Sequence, residues 1–211
     1  MTLGIRDYEL INDTHNLYDI TFFTDQIHTL VTHSPSLVEQ WLIETQGQNN
    51  QTQPTIVGLD VEWRPNFSRH IENPVATLQL CIGSRCLIYQ LIHSPRIPQS
   101  LFDFLKNSSY VFAGVGIESD VEKLVEDYGL SVGNVMELRR VAAESLGVKE
   151  LKNAGLKELV KQVLGKEIQK PKRVTMSRWD SMWLSHDQVQ YACLDAFVCS
   201  EIGRILTQSG P

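Results

Sequence analysis

Long apolar runs are the first absence. Nowhere do the 211 residues approach the roughly 20 consecutive apolar side chains needed to span a bilayer. The opening residues carry Arg6, Asp7 and Glu9 and lack the apolar stretch of a secretory signal. The expectation is a soluble, intracellular protein with no membrane partner. No basic run is long enough to read as an import signal, so nucleus and cytoplasm stay open. Cysteine is also scarce: Cys81, Cys86, Cys193 and Cys199 stand among apolar neighbours, and none forms a C-x-x-C pair. That argues against a zinc site and predicts small buried thiols in a reducing compartment. Positive charge is short as well. Lys and Arg number 19 against 25 Asp and Glu, giving a net charge of −6 and a pI near 5.5. Taken alone, such a balance argues against broad electrostatic binding to nucleic acid, whose usual footprint is a basic face. It suits a site whose carboxylates are neutralised by bound cations. The basic residues that exist cluster as Lys166, Lys170, Lys172, Arg173 and Arg178, in the plainest reading a solvated loop.

What is present is an ordinary globular composition, 42% hydrophobic, in a chain long enough for one domain (1–211) with a real core. No internal repeat is visible. Residues 18–33 carry β-branched and aromatic side chains around Thr24-Asp25-Gln26 and predict a hairpin. A helix follows with Ser36 as its cap and Leu37 and Trp41 at helical spacing. Gly47 to Pro54 is polar and rich in breakers, a loop. Thr55–Trp63, Val75–Ile82 and Cys86–Leu91 read as strands, the last two antiparallel neighbours across Gly83-Ser84-Arg85. Pro98–Lys106 suits a short helix with proline in its first turn. Ser109–Ala113 is a buried strand broken by Gly114-Val-Gly-Ile, and a helix from about Glu118 to Tyr128 stops at Gly129. From Glu137 onward the pattern is helical almost to the end. The last helix opens on Ser185-His-Asp-Gln188, a capping box, with Val189, Cys193, Ala196, Phe197 and Ile202 as its apolar face. This order predicts an α/β fold: a mixed sheet, three antiparallel strands and then parallel ones, flanked by helices.

The chemistry rests on acids. Asp60 and Glu62 lie two apart near the end of a strand, so both carboxylates share one face. Two close anions repel unless a cation sits between them; the plainer reading is the wet face of a half-exposed strand, and the pair alone does not decide. Tyr191 and Asp195 lie four apart on the last helix and stack on one side. A buried tyrosine bonded to a neighbouring carboxylate would explain them equally well. Asp120, like Glu118, falls in the first turn of a helix, where acids interact well with the helix dipole. Gly114-x-Gly116-x-x-Ser119 imitates a dinucleotide fingerprint but lacks the third glycine and the first-strand position. The combination carries more than any part. Four carboxylates and a phenol offer the oxygen ligands that hard cations prefer. Two such ions can stabilise both the attacking and the leaving oxygen of a phosphodiester.

The motifs Gly58-Leu-Asp-Val-Glu-Trp63, Val75-Ala-Thr-Leu-Gln-Leu-Cys81, Ala113-Gly-Val-Gly-Ile-Glu-Ser-Asp120, Leu164-Gly-Lys, Ser177-Arg-Trp179 and Gln190-Tyr-Ala-Cys-Leu-Asp-Ala196 resemble the DEDDy 3′→5′ exonucleases, a DnaQ-like family. They are most similar to the Werner-type exonuclease domain and its plant relatives, from about Tyr18 to Leu206. The resemblance implies a ribonuclease H-like fold and a two-metal hydrolase that releases nucleoside 5′-monophosphates from 3′ ends of DNA or RNA, using Mg²⁺ or Mn²⁺. It implies that Asp60 bridges two metals and that Glu62 and Asp195 complete the first site. Asp120 would hold the second ion, and Tyr191 would position the attacking water.

Two departures bear on the substrate. Glu122 stands where relatives often carry an aromatic residue, and Glu126 adds charge one turn on, which disfavours ordinary duplex DNA. No helicase accompanies the motifs, so delivery would be intrinsic or come from a helicase or other partner. Lys172, Arg173 and Arg178 are the candidate nucleic-acid contacts, a homo-oligomer is one way to complete a positive channel, and Trp179 is read as core. The competing readings are a catalytically silent nucleic-acid-binding module of the same fold and a protein-interaction scaffold.

Overall fold

The computed structural model describes residues 3–11, 13–46, 54–66 and 72–208. Apart from Pro54, the loop expected at Gly47–Pro54 lies outside them. Strands β1 (Leu3–Asp7), β2 (His15–Phe22) and β3 (Asp25–Thr32) form an antiparallel strip. After helix α1 (Pro35–Gln46) come β4 (Thr55–Trp63), β5 (Val75–Ile82) and β6 (Arg85–Tyr89), again antiparallel in sequence. Helix α2 (Gln99–Lys106), β7 (Tyr110–Gly114), α3 (Ile117–Tyr128) and β8 (Val135–Glu137) follow. The remainder is helical: α4 (Leu138–Leu146), α5 (Leu156–Leu159), α6 (Lys172–Thr175) and the 23-residue α7 (His186–Gln208). The strands make one eight-stranded sheet in the order β1-β2-β3-β6-β5-β4-β7-β8. It is mixed, because β3 pairs parallel with β6, and β7 runs parallel to both β4 and β8.

The alternation of β4 explains how the sheet is covered. Val57, Leu59 and Val61 are buried in a cluster that also holds Trp41, Phe104 and Leu124 of α1, α2 and α3. Gly58 faces the other side, where Tyr191, Asp195 and their buried neighbours on α7 pack. Gly58 is glycine for a steric reason: a Cβ there would lie 1.8 Å from the Ala196 carbonyl oxygen. Only a residue without a side chain lets α7 lie on β4 so closely. Helix α7 is buried nearly all round from Tyr191 to Ser200, as expected of a helix seated at the centre of a sheet.

Several expectations shift. The hairpin turn falls on Phe23-Thr24, with Phe23 at φ 56°, so Asp25 and Gln26 belong to a strand. Helix α1 begins at Pro35, whose fixed φ suits a first helical position, so Ser36 lies inside and is not the cap. Pro98 stands just outside α2, with its carbonyl accepting the Leu101 N–H. Gly114 still belongs to β7, and the break expected across Gly114-Val-Gly-Ile is made at Gly116, at φ 75°. The β1 and β8 edge strands escaped notice because each is short and weakly patterned. The helical tail is interrupted too: Val160–Leu164 makes a π turn ended by Gly165, and an irregular stretch then leads to α6. All four cysteines are buried and free, as expected.

Candidate active site

Strand β4 presents Asp60 and Glu62 on the face that α7 covers, and α7 brings Asp195 down onto them. Ligand-capable oxygens of Asp60, Glu62 and Asp195 all lie within 4.8 Å of one another. Cross-strand neighbours share a face, so Gln79 opposite Asp60 and Thr77 opposite Glu62 floor the site. Both are fully buried, and the Gln79 amide donates to Thr77 Oγ1 (2.6 Å).

The pose of α7 is fixed at its start. The Ser185 N–H donates to Gln188 Oε1 (3.0 Å), and the Gln188 N–H donates to Ser185 Oγ (3.3 Å), the reciprocal capping box expected from sequence. One turn on, Tyr191 is 8% exposed and Asp195 3%. Trp179 is fully buried as read, its ring 6.0 Å from that of Tyr191, so it packs behind the phenol.

Burial and mutual repulsion dominate the electrostatics. Burial pushes the Asp60 carboxyl well above the usual range, and Asp195 and Asp120 push it further. Burial, then Asp60 and Asp195, push Glu62 up to about 10. Asp195 rises less, because the ammonium of Lys170 offsets its burial. Burial and Asp195 together raise the Tyr191 phenol, so it stays protonated at neutral pH.

Asp120 stands outside the tight triplet but near enough to act on Asp60. Burial first and Glu137 second move it up to about 7. Glu137, at the end of β8, fixes the turn that delivers Asp120. Its Oε2 accepts the Gly116 N–H (2.7 Å), and its two oxygens accept Arg139 Nε (2.9 Å) and Nη2 (3.0 Å). Glu137 was not anticipated, because nothing local marks it as different from any acid beginning a helix.

Lys170 was noted in the basic cluster but not singled out. Its Nζ sits 2.6 Å from Asp195 Oδ2 and 5.0 Å from the centre of the Tyr191 ring. The lysine lies on an irregular segment without periodicity, so no sequence signal aimed it at the site. The chosen contacts behave differently. Arg173 pairs with Asp187, and Arg178 with Asp180, which Arg64 also reaches. Lys172 is in no ion pair among the described residues. Glu118, Glu122 and Glu126 are exposed on α3, giving that helix an acidic outer face.

Three carboxylates with converging oxygens, all raised by burial, suit a hard divalent cation. Such an ion takes oxygen ligands and removes the repulsion. Among the described residues no helix is long and apolar enough to cross a membrane.

Comparison with known proteins agrees with this geometry. Residues 21–210 match the family described as 3′-5′ exonuclease. The chain is 38% identical over 152 residues to a 3′-5′ exonuclease of Arabidopsis thaliana, covering 71% of this chain and 52% of that protein. It is 38% identical over 143 residues to the bifunctional 3′-5′ exonuclease/ATP-dependent helicase WRN of Mus musculus, covering 67% of this chain and 10% of that protein. The chain therefore spans about half of the plant relative and a tenth of the mouse one. The Aedes aegypti Nibbler EXO domain shares the fold, with a TM-score of 0.69 at 18% identity, over 85% of this chain and 87% of that one. Sheet order, the facing acids of β4 and α7 and a match that runs nearly end to end converge on one assignment: the chain belongs to the 3′-5′ exonuclease family.

Proposed function

We propose that this protein is a two-metal 3′→5′ exonuclease that shortens nucleic acid from its 3′ end and releases nucleoside 5′-monophosphates. The observation that carries the reading is the convergence of Asp60, Glu62 and Asp195 oxygens within 4.8 Å. In this reading Asp60, Glu62 and Asp195 would hold the first ion, and Asp60 and Asp120 the second. Divalent ions held there, Mg²⁺ or Mn²⁺, supply Lewis acidity at the attacking water and at the leaving 3′-oxygen.

The chain's own groups do the positioning. Glu62, on the same face as Asp60, accepts a hydrogen bond from the terminal 3′-hydroxyl and sets the end of the strand. Tyr191 holds the attacking water. Its raised pKa makes it a hydrogen-bond donor and orienter, not a base that removes the proton. The carboxylates meet the ions as anions, so metal binding must expel the protons that burial favours.

Lys172, Arg173 and Arg178 lie on the segment leading to α7 and are the proposed phosphate contacts. The acidic outer face of α3 repels a second strand, which favours single-stranded or RNA-containing ends over plain duplex DNA. The expected place of work is inside the cell, in nucleus or cytoplasm. Delivery would come from a homo-oligomer's shared channel or from a helicase-type partner.

The test is digestion of 5′-labelled single-stranded DNA, 3′-recessed duplex DNA, RNA and an RNA–DNA hybrid with Mg²⁺, Mn²⁺ or EDTA. A metal-dependent one-nucleotide ladder from the 3′ end is the expected result. Retarded oligonucleotide without any ladder, from folded protein, would establish a silent binding module instead.

A further inference from the structure

Lys170 reaches the centre of the acidic cluster from a segment that belongs to neither β4 nor α7. It lies between Gly165 and α6, just before Pro171. Its Nζ is 2.6 Å from Asp195 Oδ2, and its side chain keeps 31% of its surface while that of Asp195 keeps 4%. Among the described residues it is the one Lys or Arg that forms an ion pair with any of the three clustered carboxylates. Its ammonium also stands 5.0 Å from the centre of the Tyr191 ring, where a cation is attracted to the ring face.

An ammonium and a divalent ion seek the same oxygens. A magnesium ion on Asp195 would stand about 2.0–2.1 Å from its oxygen. With an ammonium held 2.6 Å from the same carboxylate, the two cations would be close neighbours in a poorly screened site. Like charges repel in inverse proportion to distance and to the local dielectric, and a divalent ion doubles the repulsion of a single charge. One cation must yield. The lysine is tethered, singly charged and partly exposed, so it can swing outward.

We propose that Lys170 is a positioning residue, the tethered counter-ion of the first metal position. It holds the carboxylates together until metal binds and then leaves Asp195, turning its ammonium toward solvent and incoming phosphates. This rests on the metal-dependent reading above and adds an exchange of cations on Asp195.

The test uses wild-type protein. Lysines are briefly acetylated with an N-hydroxysuccinimide ester in EDTA or in saturating Mn²⁺, and each site is read by mass spectrometry, with calorimetry run in parallel. Lys170 should label slowly in EDTA and several-fold faster with Mn²⁺, while Lys172 labels equally in both. Unchanged Lys170 labelling, with calorimetry showing Mn²⁺ bound, would overturn the exchange and leave the exonuclease reading standing. No bound Mn²⁺ at all would sink both. As a second measurement, Lys170→Met, which keeps the apolar stem, should bind Mn²⁺ about tenfold more tightly because the competing cation is gone. It should also melt lower than wild type in EDTA. Weaker Mn²⁺ binding by this variant would make Lys170 a structural brace and refute the exchange.

Discussion

Asp60, Glu62 and Asp195 press three carboxyl groups into a small volume, so all three can ionise together only beside a positive charge. Removing one ligand removes chemistry more than structure. Asp60→Ala or Asp195→Ala should lower turnover to background in the digestion assay while circular dichroism and melting stay native-like. Wild-type activity in Asp60→Ala would refute the metal assignment. Tyr191→Phe keeps the ring against Trp179 and loses only the hydroxyl. It should slow turnover by about 10²-fold, the scale of a misplaced reactant.

Asp120 allows a pH test. Its folded pKa of about 7 stands above the ordinary aspartate value of about 3.9. The folded state therefore holds more protons between these values. The stability this group contributes is complete below about pH 4 and lost as pH rises through about 7. In EDTA, Asp120→Asn should match wild type near pH 4 and melt higher at pH 8, by at least the ~2–4 °C that 1 kcal/mol gives at this size. Equal melting at both pH values would mean that Asp120 is not crowded by its neighbours.

Helix α7 and strand β4 meet so closely that one hydrogen-sized side chain decides the fit. Gly58→Ala would drive a methyl into the Ala196 carbonyl, 1.8 Å from the ideal Cβ position. Backbone cannot rotate aside like a side chain, so α7 must lift. The expected cost is at least about 1–3 kcal/mol, the range for overpacked cores. Because Asp195 follows α7 while Asp60 and Glu62 stay on β4, Mn²⁺ affinity should fall in the same variant. Native melting and native affinity in Gly58→Ala would show that the helix does not set the ligand spacing. The Glu137 carboxylate plays a comparable part for α3, since it holds the Gly116 turn from which Asp120 projects.

The protein as a whole is acidic, and most of its basic groups in the Lys166–Arg178 segment are already engaged. Lys166 pairs with Asp25, Lys170 with Asp195, Arg173 with Asp187 and Arg178 with Asp180. A cation paired with protein carboxylate releases few counterions from nucleic acid. Binding of single-stranded DNA in Ca²⁺ should therefore weaken only gently with salt, with a log–log slope of about −1 to −2 at roughly −0.7 per phosphate contact. Lys172→Ala should flatten it by about one contact. A slope near −5 would mean that the strand is held by many more cations than the Lys166–Arg178 segment leaves free.

The local signals were enough for the parts of this protein that are periodic or chemically explicit. Side-chain alternation put Asp60 and Glu62 on one face, helical spacing put Tyr191 and Asp195 on one side, and Ser185 with Gln188 marked where α7 starts. Each of these depends on a few consecutive residues, and the motifs together were specific enough to point to the family. Local spacing could not bring the two pairs together, although the family resemblance implied that they meet. That needed the contact of Gly58 with Ala196, which joins segments far apart in the chain and leaves no periodic trace in either. Lys170 and Glu137 were hidden for the same reason: their partners are set by where an irregular segment and a short edge strand come to rest. Local spacing determined which groups could act, while the packing of α7 on β4 decided which carboxylates share a site and which cation meets them, because distance in a folded chain is fixed by packing and not by position along it.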